Sequence, residues 1–296
     1  MKLGLHIPST TWEGGASRLG STLAEVVEAA ESAGFDTIDV ADHVWGHPAT
    51  GGAEAGQIEA YTTLGFIAAH THRVRLLALA TAVSYRHAGL LAKMVTTLDV
   101  LSGGRAMLGI GAGDYPEEAD GLGLPFPSLG DRFDLLEETL QACLRMWEGD
   151  HGADEPFIGK HVRIERPLNV PQSLSRPHPP ILIAGSGERR TLPLVARYGD
   201  ACNLRPSPGI PRQLELLRLL CEKEGRDYDA IEKTAPFGFD VGADGSKVDE
   251  VIDKLRWLAS MGIESVFGWV VGVEHITPLE VMGREVIPRA AELRAA

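Results

Sequence analysis

The sequence is poor in cysteine, in aromatic residues and in long apolar runs. Only 3 of its 296 residues are cysteines, and aromatic residues make up 6%. Cys143, Cys202 and Cys221 are widely spaced and form no CxxC pair, which excludes a disulfide framework or zinc ribbon and is typical of a reducing compartment. The longest apolar stretch, residues 76–83, is far shorter than the roughly 20 residues that span a bilayer. The N-terminal MKLGLHIPS lacks the apolar core of a signal peptide. We therefore expect a cytoplasmic protein without a membrane partner.

Positive charge is also scarce. Lysine and arginine together number 28 against 41 acidic residues, which gives a net charge of −13. Nucleic acids and anionic membranes need a basic footprint, so neither is expected as a partner. The hydrophobic fraction of 44% and the charged fraction of 23% are those of a globular domain.

Short apolar runs alternate with helical patterns along the whole chain. Continuous apolar runs of this length are typical of strands buried on both faces of a parallel sheet. The predicted strands are residues 3–7, 37–41, 74–83, 105–111, 181–185, 200–204, 236–242 and 265–271. The predicted helices are residues 22–33, 59–70, 89–101, 131–147, 188–198, 211–224, 247–261 and 278–291. Eight of each predict an α/β fold, a (β/α)₈ TIM barrel that forms one domain over residues 1–296.

Local signals refine this prediction. Thr22 and Glu25 form a capping-box pattern at the start of the first helix, and Gly34 stands where a helix C-terminal glycine belongs. An insertion of about residues 149–180 separates strands four and five, and its PFIGKHVRI segment predicts a hairpin. An open doubly wound sheet is the alternative fold, but no glycine fingerprint follows the first strand.

Active sites of such barrels lie at the C-terminal ends of the strands. His43 follows the second strand, and an imidazole can give or take a proton near neutral pH. The alternative is a histidine that only caps or stabilises the loop. Asp42, His43 and His47 do not have metal-ligand spacing, so no metal is expected.

Two glycine turns follow strands four and five. In the first, Gly111-Ala112-Gly113 allows the backbone to approach a flat ligand and places Asp114 beside it, with a helix N-cap as the alternative role for Asp114. The second, Gly185-Ser186-Gly187, opens a helix and predicts a phosphate site. Arg190 lies near that turn, with an ion pair on the barrel rim as its alternative role. Glu117 and Glu118 are predicted on a solvated face.

Tryptophans divide into two groups. Trp147 and Trp257 lie on helix faces and are predicted to be packing residues. Trp45 and Trp269 lie at strand or loop ends, where they either pack or wall a pocket.

Four stretches together resemble a known family. They are GFDTIDVADHVW (34–45), YRHAGLLAKMVTTLDVLSGGRAMLGIGAGDY (85–115), PFPSLGDRFDLLEETL (125–140) and PPILIAGSGERRTLPLVARYGDACNL (179–204). They resemble the luciferase-like flavin/deazaflavin oxidoreductases, and within them the coenzyme F420-dependent branch. The resemblance runs from residue 3 to about residue 285. It implies a (β/α)₈ barrel with an insertion, often dimeric, and a deazaflavin ring at the C-terminal mouth.

The resemblance also implies roles for individual residues. Asp42 and His43 match the Asp-His pair beside the ring in the sugar-phosphate dehydrogenases of the family. Asp114 stands where those enzymes have a glutamate that gives or takes a proton. The implied catalytic residues are His43 and Asp114. The implied cofactor-binding residues are Asp42, Leu79, Ala80, Thr81, Gly111, Ala112, Gly113, Ala184, Gly185, Ser186 and Gly187. The Leu79-Ala80 step matches a non-proline cis peptide in relatives.

We therefore expect a homodimeric oxidoreductase that transfers a hydride between coenzyme F420 and a small organic substrate. The alternative is an FMN-dependent two-component monooxygenase of the bacterial luciferase type. A non-catalytic cofactor-binding protein and a metal-dependent hydrolase are further hypotheses. The sequence does not indicate the substrate.

Overall fold

The structure, a computed structural model, describes residues 1–242 and 244–295. Parallel pairing joins nine of the eleven strands in this part of the chain into one sheet, and β6 and β7 form a separate hairpin. The strands are β1 (Lys2–Ile7), β2 (Thr37–Val40), β3 (Arg75–Ala78), β4 (Thr81–Ala82), β5 (Leu108–Gly111), β6 (Phe157–Ile158), β7 (Arg163–Ile164), β8 (Ile181–Ala184), β9 (Ala201–Asn203), β10 (Glu232–Phe239) and β11 (Ser265–Val270).

The sheet closes into a barrel. Its order is β3-β2-β1-β11-β10-β9-β8-β5-β4, and both ends of this order belong to the predicted third strand. A cis peptide bond between Leu79 and Ala80 separates β3 from β4, at the position that the family resemblance implies. Leu76 also pairs with Ala106 just before β5. The barrel prediction is thus confirmed, and the open sheet is excluded.

Helices surround the barrel. They are α1 (Ala16–Ala33), α2 (Ala60–His70), α3 (Ala88–Ser102), α4 (Pro116–Leu122), α5 (Leu129–Met146), α6 (Thr191–Tyr198), α7 (Ile210–Glu224), α8 (Val248–Ser260), α9 (Thr277–Val281) and α10 (Ile287–Ala291). A π-helical turn joins the last two. The sequence did not predict α4, and β10 begins four residues before its predicted start at residue 236.

The predicted capping box is wrong, because α1 begins at Ala16 and contains Thr22 in its interior. The helix instead starts from a turn at Gly14 and Gly15, both with positive φ. Gly34 is confirmed as the C-terminal cap: its φ is 100°, and its N–H donates to carbonyls of the last turn. A residue with a Cβ is strained in this conformation.

Alternate residues of each strand face inward and outward. The outward set packs against the helices in the main core, and a smaller apolar cluster inside the barrel contains Leu77, Met107, Leu182, Ala201 and Phe267. At the N-terminal ends of the strands, Arg75 donates to the carboxylates of Asp36 and Glu232. The mouth therefore lies at the opposite, C-terminal ends.

The insertion lies between the fourth and fifth barrel strands, and its predicted hairpin is confirmed by antiparallel pairing of β6 with β7. The Glu138 carboxylate on α5 accepts the backbone N–H groups of Lys160, His161 and Val162 at the hairpin turn. These hydrogen bonds fix the hairpin to α5 on the outside of the barrel.

Trp147 is buried and donates to Thr96, as predicted for a packing residue. Trp257 is 45% exposed, so it packs only in part. Among residues 1–242 and 244–295, no helix is long and apolar enough to cross a membrane.

Candidate active site

Asp42 lies at the end of β2 and forms an ion pair with Arg86. Arg86 donates to its two carboxylate oxygens at 2.6 and 2.9 Å, and the Ala82 N–H donates at 3.2 Å. Arg86 also pairs with Glu59, and these carboxylates raise the pKa of its guanidinium against the opposing effect of burial. Asp42 thus joins the end of β2 to β4 and the segment after it, and among the described residues its side chain forms no hydrogen bond with the His43 ring.

His43, one residue later, is oriented by a different carboxylate. Its Nδ1 lies 3.2 Å from Oε2 of Glu118, whose side chain is fully buried. Because an ionised carboxylate only accepts, His43 Nδ1 carries the proton. The lone pair of the neutral ring is then on Nε2, and the side chain is 20% exposed.

The prediction that Glu118 lies on a solvated face is wrong. The short helix α4, absent from the sequence prediction, turns Glu118 inward while Glu117 stays exposed. Its carboxylate accepts from the backbone N–H groups of Val44 and Trp45 and from the Tyr85 hydroxyl. Glu118 thereby holds the loop that carries His43.

These contacts shift the pKa values of both Glu118 and His43. Burial alone would raise the pKa of Glu118, but the hydrogen bonds from His43, Trp45 and Tyr85 lower it to about 2. Burial alone would lower the pKa of His43, but the hydrogen bond to Glu118 and the nearby charges of Asp114 and Asp42 raise it above its ordinary value. Glu118 is therefore ionised at neutral pH and favours the protonated form of His43.

Asp114 reaches the same place from the turn after β5, two strands away from β2 around the barrel. One ligand atom each of His43, His47 and Asp114 lies within 4.8 Å of the others. Both imidazoles pack against the Tyr115 ring, with centroids 5.8 and 5.3 Å away. Asp114 is exposed, and the N-cap of α4 is Tyr115 with no side-chain capping bond, so the alternative role of Asp114 as a helix cap is wrong.

This trio differs from Asp42, His43 and His47, the three residues that the sequence analysis tested for metal binding. Asp42 is paired with Arg86, and Asp114 is the carboxylate beside the two histidines. His47 Nδ1 accepts the Ala49 N–H at 3.1 Å, which places the proton of the neutral ring on Nε2. Neither nitrogen of His47 then offers a free lone pair to a cation. The cluster is better suited to hydrogen-bonding an organic ligand than to holding a metal.

Small residues from neighbouring strands meet beside the cis peptide. A Cβ built on Gly111 would lie 3.8 Å from the Cβ atoms of both Ala80 and Ala184. This apolar patch of Ala80, Gly111 and Ala184 has no side chain larger than a methyl group, which suits a flat ring. Thr81 lies at its edge and is hydrogen-bonded to Tyr61 at 2.8 Å.

The Gly111-Ala112-Gly113 turn is held from outside. Gly113 has a φ of 78°, a conformation that favours glycine. The Arg132 side chain donates to the Ala112 carbonyl at 2.9 Å and stacks over Phe126. The turn is thus fixed in position where the sequence predicted a close approach of backbone to ligand.

The Gly185-Ser186-Gly187 turn follows β8, but α6 begins only at Thr191, later than predicted. Ser186 Oγ accepts the backbone N–H of Arg205 at 2.8 Å. Arg190 pairs with Asp134, which confirms its alternative role. Arg189 and Arg205 are exposed, and neither forms an ion pair with any residue that the structure describes.

Of the two tryptophans considered as pocket walls, Trp269 faces inward on β11, packs on Gly238 and is 46% exposed. Trp45 packs on Gly121 of α4. Sequence reasoning missed Glu118 and also His6 and Asp39, which contact each other inside the barrel. A polar residue at an inward position of an apolar strand was the available signal for that pair.

Comparisons with known proteins show the family of this chain. A family model described as luciferase-like monooxygenase matches residues 1–284. An F420-dependent glucose-6-phosphate dehydrogenase from Nakamurella multipartita is 31% identical over 219 residues, which cover 72% of this chain and 61% of that protein.

Two solved structures share the fold. A monooxygenase, RslO1, from Streptomyces bottropensis superposes with a TM-score of 0.79 at 21% identity and covers 97% of this chain and 99% of its own. An F420-dependent secondary alcohol dehydrogenase in complex with an F420-acetone adduct has a TM-score of 0.78 at 18% identity, with 98% of both chains covered.

Proposed function

The chain belongs to the luciferase-like monooxygenase family, and from this premise we propose that it is an oxidoreductase that transfers a hydride between coenzyme F420 and a small organic substrate. The F420-dependent dehydrogenase among its relatives supports this choice. When bound, the cofactor supplies a deazaflavin carbon that takes up or releases the hydride. The protein must hold the ring, exclude water and manage one proton.

The observation that carries the proposal is the apolar patch of Ala80, Gly111 and Ala184 beside the His43 cluster. Three small residues on adjacent strands leave the space that a planar ring needs, and a Cβ at Gly111 would lie in that space. The residues present therefore fit a flavin-like ring. Leu79 and Thr81 flank the patch, and Ala112 and Gly113 continue it into the turn after β5.

His43 is the proposed proton-transfer residue. Glu118 fixes Nδ1–H, so Nε2 takes the proton of a substrate hydroxyl during oxidation and returns it during reduction. Asp114 is the second proposed proton carrier, since its exposed carboxylate lies beside both imidazoles. Asp42 is proposed to support the ring site through Arg86 without exchanging protons.

The second turn is the proposed phosphate anchor. Gly185 has a positive φ, and a Cβ at Gly187 would lie 2.9 Å from Thr191 Oγ1, so both positions favour glycine and the turn packs closely against the start of α6. Arg189 and Arg205 provide positive charge there that no described carboxylate neutralises, in a chain whose net charge is −13. We therefore expect the anionic tail of the cofactor to bind beside Arg189 and Arg205.

A fluorescence titration with F420 and, in parallel, with FMN tests the proposal. Tighter binding of F420 than of FMN is the expected result. Tighter binding of FMN would instead support the two-component monooxygenase, and binding of neither would contradict the cofactor site. A Gly111→Val variant, with Gly20→Val as control, shows whether the binding occurs at the apolar patch.

The proposal includes a homodimer. Exposed apolar side chains on α3 and the insertion, Leu90, Leu168, Val170 and Leu174, support a covered surface there. Light scattering of the purified protein at several concentrations gives the oligomeric state, and a monomer at micromolar concentration would contradict this part.

We also propose a cytoplasmic location. Cys143, Cys202 and Cys221 are buried and unpaired, and burial raises the pKa of each thiol. Free thiols throughout are typical of a reducing compartment. Fractionation of the source cells followed by immunodetection tests it.

A further inference from the structure

A second histidine–carboxylate pair lies inside the barrel. His6 on β1 and Asp39 on β2 are register partners, and His6 Nδ1 contacts Asp39 Oδ1. The strand neighbours Leu5, Ile38 and Val40 belong to the core between barrel and helices. Because side chains alternate along a strand, His6 and Asp39 face the barrel interior.

The two partners differ in exposure. The Asp39 side chain has no exposed surface, whereas His6 is 19% exposed. Asp39 Oδ2 has no hydrogen-bond partner among the described residues. Because Nδ1 faces an enclosed carboxylate, the exposed edge of the His6 ring is the one that carries Nε2. The pair therefore connects a buried carboxylate to the open space of the mouth.

The depth of the pair follows from strand register. Asp39 is level with Leu77, which belongs to the apolar cluster inside the barrel. The next inward residue on that side is Leu79, about 7 Å nearer the mouth at the rise of an extended strand. His6 thus lies at the floor of the mouth, one layer below the cis peptide.

The pair also lies across the barrel from Ala184 of the apolar patch, whereas Gly111 and Ala80 lie on nearer strands. Strand order places β8, which carries Ala184, four strands from β1 in both directions around the barrel. Leu5 pairs with Gly268, so the same register continues to place His6 beside Trp269. If the cofactor ring lies on the patch, we expect the substrate to occupy the space between the ring and His6.

This inference rests on the proposed function. We propose that His6, positioned by Asp39, is a substrate-binding residue that hydrogen-bonds the oxygen of a neutral alcohol or ketone whose apolar part lies on Trp269. His6 Nδ1 shares a proton with Asp39 Oδ1, and Nε2–H donates to the hydroxyl or carbonyl oxygen, so that the hydroxyl proton stays available to His43. The pair then carries no net charge, so an anionic group gains no ionic attraction at this point and neutral substrates are selected.

Three variants test the assignment. His6→Gln removes the imidazole, and Asp39→Asn keeps its volume but removes the acidic group. His70→Gln is the matched control, because His70 bonds the Glu28 carboxylate at 3.0 Å on the outer surface. F420 affinity is measured by fluorescence. Turnover is measured with 2-propanol and a panel of neutral alcohols and ketones, with glucose 6-phosphate as the charged comparison.

We expect His6→Gln to raise the KM for the neutral substrate about tenfold or more, while F420 affinity changes less than about twofold. Asp39→Asn should change KM in the same direction, and His70→Gln should leave it unchanged. Equal KM values in the His6 and His70 variants would overturn the assignment. Turnover of only the charged substrate, or of none of the panel, would overturn the substrate class. Failure of the wild type to bind F420 would instead contradict the proposed function itself.

A second measurement needs no turnover. Diethyl pyrocarbonate reacts with accessible imidazole nitrogens, and mass spectrometry locates the modified histidines in the folded wild-type protein. We expect both His6 and His70 to be modified. An unmodified His6 beside a modified His70 would show that the pair is closed to solvent and would overturn the inference.

Discussion

His43 Nδ1 lies 3.2 Å from a carboxylate oxygen of Glu118, a residue 75 positions later in the chain. The same carboxylate holds two backbone N–H groups of the loop that follows His43. One buried acid therefore fixes the position, the proton location and the charge of the histidine proposed to act on the substrate.

Replacement of His43 is expected to reduce chemistry without loss of the cofactor. His43→Ala should lower turnover about 10²–10⁴-fold, the usual contribution of a general acid or base, while F420 affinity remains. Steady-state kinetics and fluorescence titration on the same preparation measure both. Unchanged turnover would remove His43 from the mechanism.

Glu118→Gln is expected to change the pH dependence of the reaction. The carboxylate raises the pKa of His43, and a base must be deprotonated to act. Alcohol oxidation should therefore rise with pH through the elevated pKa of His43 in the wild type. In Glu118→Gln this limb of the kcat/KM profile should move to lower pH. A limb at the same pH in both proteins would show that His43 is not the titrating group.

Glu118 should also contribute to acid stability. Its pKa is lowered to about 2 in the folded protein, below its ordinary value of 4.5. A lowered pKa stabilises the fold above the ordinary value, and this contribution is lost as the pH falls from about 4.5 towards 2. Urea unfolding should show Glu118→Gln less stable than the wild type by ~1–3 kcal/mol at pH 7. The difference should shrink over that acid range; a constant difference would contradict the ionised state.

Gly111→Val should weaken cofactor binding. The new Cβ would have ordinary contacts of 3.7–3.8 Å with Ala184 and Ala80, so the fold is expected to persist. The remaining methyl groups would fill the ring site and weaken F420 binding roughly tenfold or more, about 1.4 kcal/mol. Gly20→Val is the control, because nothing lies within 4 Å of a Cβ there. Equal F420 affinity in the two variants would place the ring elsewhere.

Removal of metal ions should have no effect. His47 Nδ1 accepts a backbone N–H, so the His43, His47 and Asp114 cluster lacks a full set of free lone pairs. Protein dialysed against EDTA is expected to keep its F420 affinity and turnover. Stoichiometric zinc or iron by elemental analysis, with activity lost on chelation, would contradict this.

The fold was largely predictable because its signal is local. Each buried strand reads as an apolar run, and glycines such as Gly34 mark helix ends by their backbone conformation. The errors also have local causes. Thr22 and Glu25 match a capping box inside a longer helix, and the seven residues of α4 are too few to give a clear period.

The sequence by itself determined the alternation of strands and helices, the position of His43 and Asp114 after strand ends, and the resemblance that implies the cofactor. Tertiary structure alone decided which basic side chain each carboxylate contacts. Asp42 pairs with Arg86, Glu118 with His43 and Asp39 with His6. The physical reason is that these pairs form across separate strands and loops. Their energies depend on burial and distance, which no local pattern of residues contains.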